Sequence, residues 1–384
     1  MKVTQLYTLV NAVTKEVLGE TAVVNEDLSN VVDIGKAILD TTNGIDNYVR
    51  KLVDHIGKVI FVNRVYAGGA PSVLMDAWEF GSVLEKVSAD LPEASENDSW
   101  QLEDGKEYSQ DVFYQPKVAA KFYNSKVTFE VKMSFAEKQV KSAFSSAEQL
   151  NGFISMLVTA VENSMTVKLD ALIMRAINNM TAETISEGAA TRSINLLAGF
   201  NAGRAEADQI TAAAAITNPD FIRYASYQIG LFSQRMGKIS SLFNAGGKAR
   251  FTPADRMHIV LLSEFSAAAG VYLSSDTQNQ EFVALPQHES VPYWQGSGTG
   301  YTFADVSSID VKTASGKTVK QSGIVGVIFD RDAVGVANLD RRVTSSYNAR
   351  AEFYTNYYKM DAGFYNDTSE NFIVFYVADP APSE

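Results

Sequence analysis

An extended acidic stretch from Ala77 to Met133, followed almost at once by one long helical period, constrains this chain more than any other feature. Trp78, Phe80, Val83 and Val87 suggest an outgoing strand with imperfect alternation. Asp90 to Asp111 then collects Asp90, Glu93, Glu96, Asp98, Glu103, Asp104, Glu107 and Asp111 against a single base, Lys106, with Pro92 and Gly105 among them. That composition reads as an acidic tip or loop. Val127, Phe129, Val131 and Met133 alternate with Thr128, Glu130 and Lys132, a period of two that reads as the return strand. Two arms of about 15 residues, at about 3.3 Å each, reach roughly 50 Å. A hairpin that long buries little within its own subunit, so the chain is expected to lie on copies of itself. That points to assembly rather than catalysis.

The helix comes next. Ser145-Ser146-Ala147-Glu148 has the S-x-x-E spacing of a capping box, in which each side chain satisfies the other residue's backbone amide. Leu150, Phe153, Leu157, Val161, Met165 and Leu169 hold helical spacing, and Leu172, Ile173, Ala176, Ile177 and Met180 continue it. From Glu148 to Met180 the helix spans on the order of 50 Å.

Elsewhere the signals are shorter. Val31, Ile34, Ile38 and Leu39, then Ile45, Tyr48, Val49, Leu52 and Ile56, suggest a helical arm interrupted at Asn43-Gly44. Ala182 to Ala215 has weak periodicity and reads as short strands and loops. Asn218-Pro219-Asp220 is a helix start, with Asn as N-cap and Pro at the first helical position. Met257 to Leu262 reads as a buried strand and Ser263 to Leu273 as an Ala-rich helix, so this part has an α/β or α+β character. Ile324 to Ile328 reads as a buried strand, Asp330 to Ala333 as a turn, and Val334 to Ala337, Arg341 to Tyr347 and Phe372 to Val377 as further strands.

The catalytic searches fail one by one. No cysteine is present, which removes thiol chemistry, disulfides and cysteine metal sites. His55, His258 and His288 fit no zinc-binding spacing, and His258 reads as a structural histidine at a strand start. Gly246-Gly247-Lys248 resembles the end of a phosphate loop, but Leu242 stands where the first glycine is required. Asp330-Arg331-Asp332 reads as a turn held by Asx hydrogen bonds rather than a cation site. No cofactor or metal is expected. The net charge of −12, with Arg341-Arg342 the one arginine doublet, argues against tight sequence-specific gripping of duplex nucleic acid. No apolar run approaches a membrane span, and the N-terminus lacks the pattern of a signal peptide, so no membrane association and no general secretion are expected.

In order and length, these elements resemble the HK97-like major capsid proteins of tailed bacteriophages, over roughly Leu28 to Val377. The resemblance implies an α+β fold with an N-terminal arm (1–67), an extended β-hairpin or E-loop (68–136) and a spine helix in a peripheral, or P, domain (137–183). An α/β axial, or A, domain (184–337) follows, and then the closing P-domain strands and tail (338–384). The closing part rests on Leu339-Asp340-Arg341-Arg342-Val343-Thr344, Tyr354-Thr355-Asn356 and Asn371 to Val377. It further implies a non-enzymatic shell subunit that forms pentamers and hexamers of an icosahedral head around double-stranded DNA. The expected partners are other copies, a portal and a separate scaffolding protein. Some relatives cross-link an E-loop lysine to a P-domain asparagine beside a glutamate. Here Asn356 and Lys86 or Lys106 lie in the matching regions, but no glutamate follows Asn356 before Glu370, so no cross-link is expected. The acidic loop, through Glu103, Asp104 and Glu107, is expected to meet basic residues of a neighbouring copy. The alternatives are an encapsulin-like nanocompartment, another virion protein, or an α/β enzyme with an unrecognised site.

Overall fold

The computed structural model describes residues 11–15, 18, 25, 71–75, 83–92, 94–108, 113–136, 147–274, 285–294, 296–297, 308–314 and 316–379. Most of the arm expected over 1–67, the Ser145 cap, Trp78 and Phe80, and His55 lie outside them.

Helix α1 (Ala147–Glu187) is the longest element, with 41 residues and a length of roughly 60 Å. It runs past the expected end at Met180 because Thr181, Ala182 and Thr184 remain buried and continue its packing face. Gly188 stops it with φ +64, the left-handed conformation that glycine adopts without a Cβ clash. Between Leu172 and Ala182 every side chain except Arg175 and Asn179 is buried, a wider face than the stripe of Val161, Met165 and Leu169 that precedes it. The reason is that sheets flank this end on more than one side.

The first of these sheets has the order β1-β12-β13-β4. Its strands are β1 (Leu74–Met75), β4 (Lys126–Ala136), β12 (Val334–Asn348) and β13 (Phe353–Asn366). Strand β4 pairs antiparallel with β13, from Lys126 opposite Gly363 to Ala136 opposite Phe353. This corrects the expected hairpin, because the alternating Val127 to Met133 run does not pair with the outgoing strand. A period of two reports a strand with one buried face. Here that face packs on the core through Phe129, Val127, Val131 and Met133. The two strands expected at Val334 to Ala337 and Arg341 to Tyr347 are one, and its register against β13 shifts between Asn338 and Arg341. The Asn366 amide donates to the Ala176 carbonyl of α1 at 3.0 Å and ties sheet to helix.

The second sheet has the order β5-β14-β11-β6-β7. Its strands are β5 (Ser193–Asn195), β6 (Met257–Leu262), β7 (Glu289–Val291), β11 (Ile324–Asp330) and β14 (Phe372–Tyr376). Strand β14, expected with the closing P-domain strands, pairs instead with β11 and β5. An apolar run buried at Phe372, Ile373, Val374 and Phe375 needs cover on both faces, and the centre of this sheet supplies it. Helices α2 (Leu196–Asn201), α3 (Pro219–Met236) and α4 (Ser263–Ser274) accompany this sheet. Helix α3 starts as its sequence dictates, with the Phe221 amide donating to the Asn218 side chain at 3.0 Å and Pro219 in the first turn. A small third sheet, β10-β9-β8, joins β8 (Gly296–Ser297), β9 (Ser308–Lys312) and β10 (Thr318–Ser322) and packs on α1. The whole is α+β, and its core is one continuous cluster shared by α1 and the sheets.

Candidate assembly site

The hairpin that the structure contains is shorter than the expected one. It pairs β2 (Leu84–Ala89) with β3 (Val118–Tyr123), from Leu84 opposite Tyr123 to Ala89 opposite Val118. Six residues a strand give roughly 20 Å of ladder, and the Asp90 amide extends it by donating to the Lys117 carbonyl at 2.9 Å.

Lys86 and Lys121 stand directly opposite each other in that ladder. Like charges so placed are destabilising. Asp367, in the loop between β13 and β14, resolves the conflict. Lys86 Nζ donates to Asp367 Oδ2 at 2.8 Å and Lys121 Nζ to Oδ1 at 2.6 Å. Lys86 also pairs with Glu370 at 2.9 Å, and Lys121 donates to the Ser369 hydroxyl at 2.9 Å. The Asp367 side chain is 1% exposed. Burial pushes its carboxyl up, but the bonds from Lys121, Lys86 and Ser369 outweigh that and hold it well below the usual carboxylate range. Beside it the Tyr123 and Tyr365 rings pack with centroids 4.8 Å apart, and burial, then Asp367, pushes the Tyr123 hydroxyl up. Three more groups continue the root. Lys248 reaches Asp90 at 3.3 Å, Arg250 lies 3.7 Å from Glu370, and Arg256 pairs with Asp332. Between β2 and residues 249–256 lies a cleft of about 400 Å³, lined by apolar Val87, Leu91 and Phe251 and by Arg250 and Arg256 alongside Asp330, Asp332 and Glu370.

The tip carries the residues expected from sequence. Glu103, Asp104 and Glu107 are all exposed, and their carboxylates make no ion pair among the described residues. The tip nonetheless has local order. The Ser99 amide donates to the Asn97 side chain at 2.8 Å, Gly105 turns the chain at φ +80, and the Glu103 amide donates to the Tyr108 hydroxyl at 3.0 Å. What the charge pattern hides is apolar surface. Trp100 is 96% exposed, Phe113 86% and Tyr114 84%, with Leu102 exposed beside them. Large aromatics left in water on a projecting element mark a contact surface. Their signal in the sequence is an aromatic set within a polar run whose spacing matches neither strand nor helix.

The residues weighed for chemistry fall into structural roles. His258 stacks on Phe329 at 5.3 Å, with Glu289 3.7 Å from its Nδ1. That imidazole, with two donors from Ser72, outweighs burial and holds the Glu289 carboxyl at about 2. His288 pairs with the Ser266 hydroxyl at 2.7 Å. The Gly246-Gly247-Lys248 loop closes on itself: Asn244 accepts from the Lys248 amide at 2.8 Å and donates to the Lys248 carbonyl at 2.7 Å. Asp330 holds its turn by accepting from the Asp332 amide at 2.9 Å. Arg342 binds Asp361 through both terminal nitrogens, at 2.6 and 3.3 Å, so it ties β12 to β13. Asn356 is fully buried on β13, where its amide donates to the Tyr358 hydroxyl at 3.1 Å. Among the described residues no cluster of His, Asp or Glu has the makings of a metal site, and no helix is long and apolar enough to cross a membrane.

The structure thus presents a hairpin with an exposed apolar and acidic tip, anchored by its root to an α+β body. The chain belongs to the Phi29-like phage major capsid protein family, whose model matches residues 10–376. Over 169 residues it is 24% identical to the major capsid protein of Bacillus phage GA-1 and 25% identical to that of Bacillus phage B103. Those stretches are 43% of this chain and 34% and 36% of the two relatives, so it matches about a third of their length. Among solved structures it is similar to the capsid of Staphylococcus phage Andhra, with 10% identity, TM-score 0.49, and coverage of 83% of this chain and 88% of that one. It is also similar to the capsid of cyanophage P-SCSP1u, with 12% identity, TM-score 0.43, and coverage of 83% and 92%.

Proposed function

We propose that copies of this chain join through their hairpins into pentamers and hexamers, and that these close an icosahedral head around packaged double-stranded DNA. The head is assembled in the bacterial host cytoplasm. The observation that carries this reading is the tip bearing exposed Trp100, Phe113 and Tyr114 in a chain of a capsid family. A closed symmetric assembly uses one contact many times, so each contact can be weak. The net charge of −12 suits a wall that confines DNA without gripping it. A portal and a separate scaffolding protein complete the set of partners, and the chain itself takes no catalytic step. Negative-stain microscopy of the expressed protein, with and without scaffolding protein, tests the reading. Closed shells or rings of five or six are expected, and a monodisperse monomer at high concentration under both conditions would sink it.

The same reading includes no covalent cross-link. Lys86 is engaged by Asp367 and Glu370, and Asn356 is fully buried with no glutamate between it and Glu370. Purified particles boiled in detergent should run as a single monomer band. A ladder of multimers would refute the absence of a cross-link.

A further inference from the structure

We infer that the outward face of the third sheet, formed by β9 and β10, is the surface that meets the backbone of the packaged DNA. The inference deepens the assembly reading above and rests on it. The two strands pair antiparallel, with Asp310 opposite Lys320 and Lys312 opposite Thr318. Alternation sorts their side chains onto two faces. Ile309 and Val311 are buried, and Val319 packs against the core. Asp310, Lys312, Thr318, Lys320 and Ser322 are exposed on the other face, and Lys317 is exposed in the turn. In a protein of net charge −12, this face carries three lysines against one aspartate.

Asp310 holds Lys320 at 3.1 Å, while Lys312 and Lys317 make no ion pair among the described residues. The turn that presents them is tied down. Gly316 takes φ +87, and the Thr313 amide and hydroxyl both donate to the Lys317 carbonyl, at 2.8 and 3.0 Å. The Ala314 amide donates to Glu183 of α1 at 2.5 Å, which fixes the turn to the longest helix. Lys312 and Lys320 are diagonal neighbours in the ladder, a spacing of roughly 7–8 Å. A duplex carries a charge about every 1.7 Å of its axis, so a patch of that width meets several phosphates. The chemistry favours nucleic acid over a protein partner. Protein contacts have an apolar or aromatic centre, as the hairpin tip has in Trp100. No exposed large apolar side chain stands on β9, β10 or the described residues of their turn. Lysines and hydroxyls contact phosphates without reading sequence, which suits a wall that must confine any packaged sequence. A weak contact repeated over many subunits adds up, so the face can hold the DNA layer without a tight grip by any one copy.

Duplex binding by the unassembled full-length chain tests this. Fluorescence anisotropy with a short duplex of mixed sequence, over a salt series, compares wild type, K312Q/K317Q and R235Q/K238Q. K312Q/K317Q should lower affinity about tenfold at low salt and reduce the salt slope by about 2, one for each lysine. R235Q/K238Q removes two exposed cations elsewhere and should change neither. All four positions are exposed, so both variants should keep the wild-type circular dichroism. Equal losses in the two variants would overturn the inference, because overall charge rather than this face would then carry binding. An unchanged slope in K312Q/K317Q would overturn it too, and a fall in shell yield alongside would reassign the face to a protein contact. Shells from a wild type that binds no duplex would remove this inference and leave the assembly reading standing. Duplex binding by wild-type chains that form no shells would sink the assembly reading, and the role of the face in a packaged head with it.

Discussion

At residue 367 one carboxylate accepts from two lysines on neighbouring strands, and the Ser369 hydroxyl donates to it as well at 2.7 Å. Its pKa is held down in the folded protein, so the unfolded chain binds that proton more readily. The stabilisation is therefore fully present above the ordinary carboxylate pKa of about 4 and is lost as pH falls below it. Asp367→Asn should cost about 2 kcal/mol at neutral pH, the scale of a lost hydrogen bond to a charged group. It should also flatten the fall in stability on acidification. Urea unfolding of the monomer at pH 7 and pH 3 measures both effects, and an unchanged pH slope would show that Asp367 does not carry the linkage. None of this was legible in sequence. Lys86 and Asp367 lie 281 residues apart, and no local pattern joins them. The acids of the tip were legible because charge density is a local property. Trp100 was not, because an aromatic residue in a sequence carries no mark of which surface will cover it.

Among the elements, helix α1 was the most legible, because a period held from Leu150 through Met180 admits one regular structure. Its last turn was hidden because Thr181 and Thr184 are polar by type yet buried in place. Strand β4 shows the opposite failure. Its alternation correctly reports one covered face but says nothing of which strand lies beside it, and the partner proved to be β13. The true return strand, β3, reads Val-Ala-Ala-Lys-Phe-Tyr and shows little alternation, because both its faces are largely in solvent. Strands β10 and β11 meet at Gly323, where φ is +68 and an added Cβ would sit 2.2 Å from the Val377 carbonyl oxygen. Gly323→Ala should therefore cost about 3 kcal/mol, from left-handed strain together with overpacking. Thermal unfolding should show a clear drop in midpoint, and a wild-type midpoint would mean that β14 gives way without cost.

For the whole molecule, the prediction concerns salt. Replacing Glu103, Asp104 and Glu107 together by glutamine should weaken assembly at low ionic strength and blunt its response to added salt, since exposed charges act across a Debye length of about 10 Å at 0.1 M. Light scattering across a salt series reads this directly, and identical curves for variant and wild type would remove the charges from the contact. The architecture at this scale was legible as an order of parts, a hairpin followed by a helix and then mixed sheets. The sharing of sheets was not, because β14 crosses from the closing segment into the sheet of β6 and β11. In the proposed shell, the clamp on Asp367 has a mechanical consequence. A pull on the tip travels down β2 and β3 side by side and meets Asp367, Ser369 and Glu370, which pass the load through their short loop to β13 and β14. The hairpin thus behaves as a lever fixed by a short row of shear pins. Its strands have no need to stretch before those pins slip, so the root is where a strained wall would yield first.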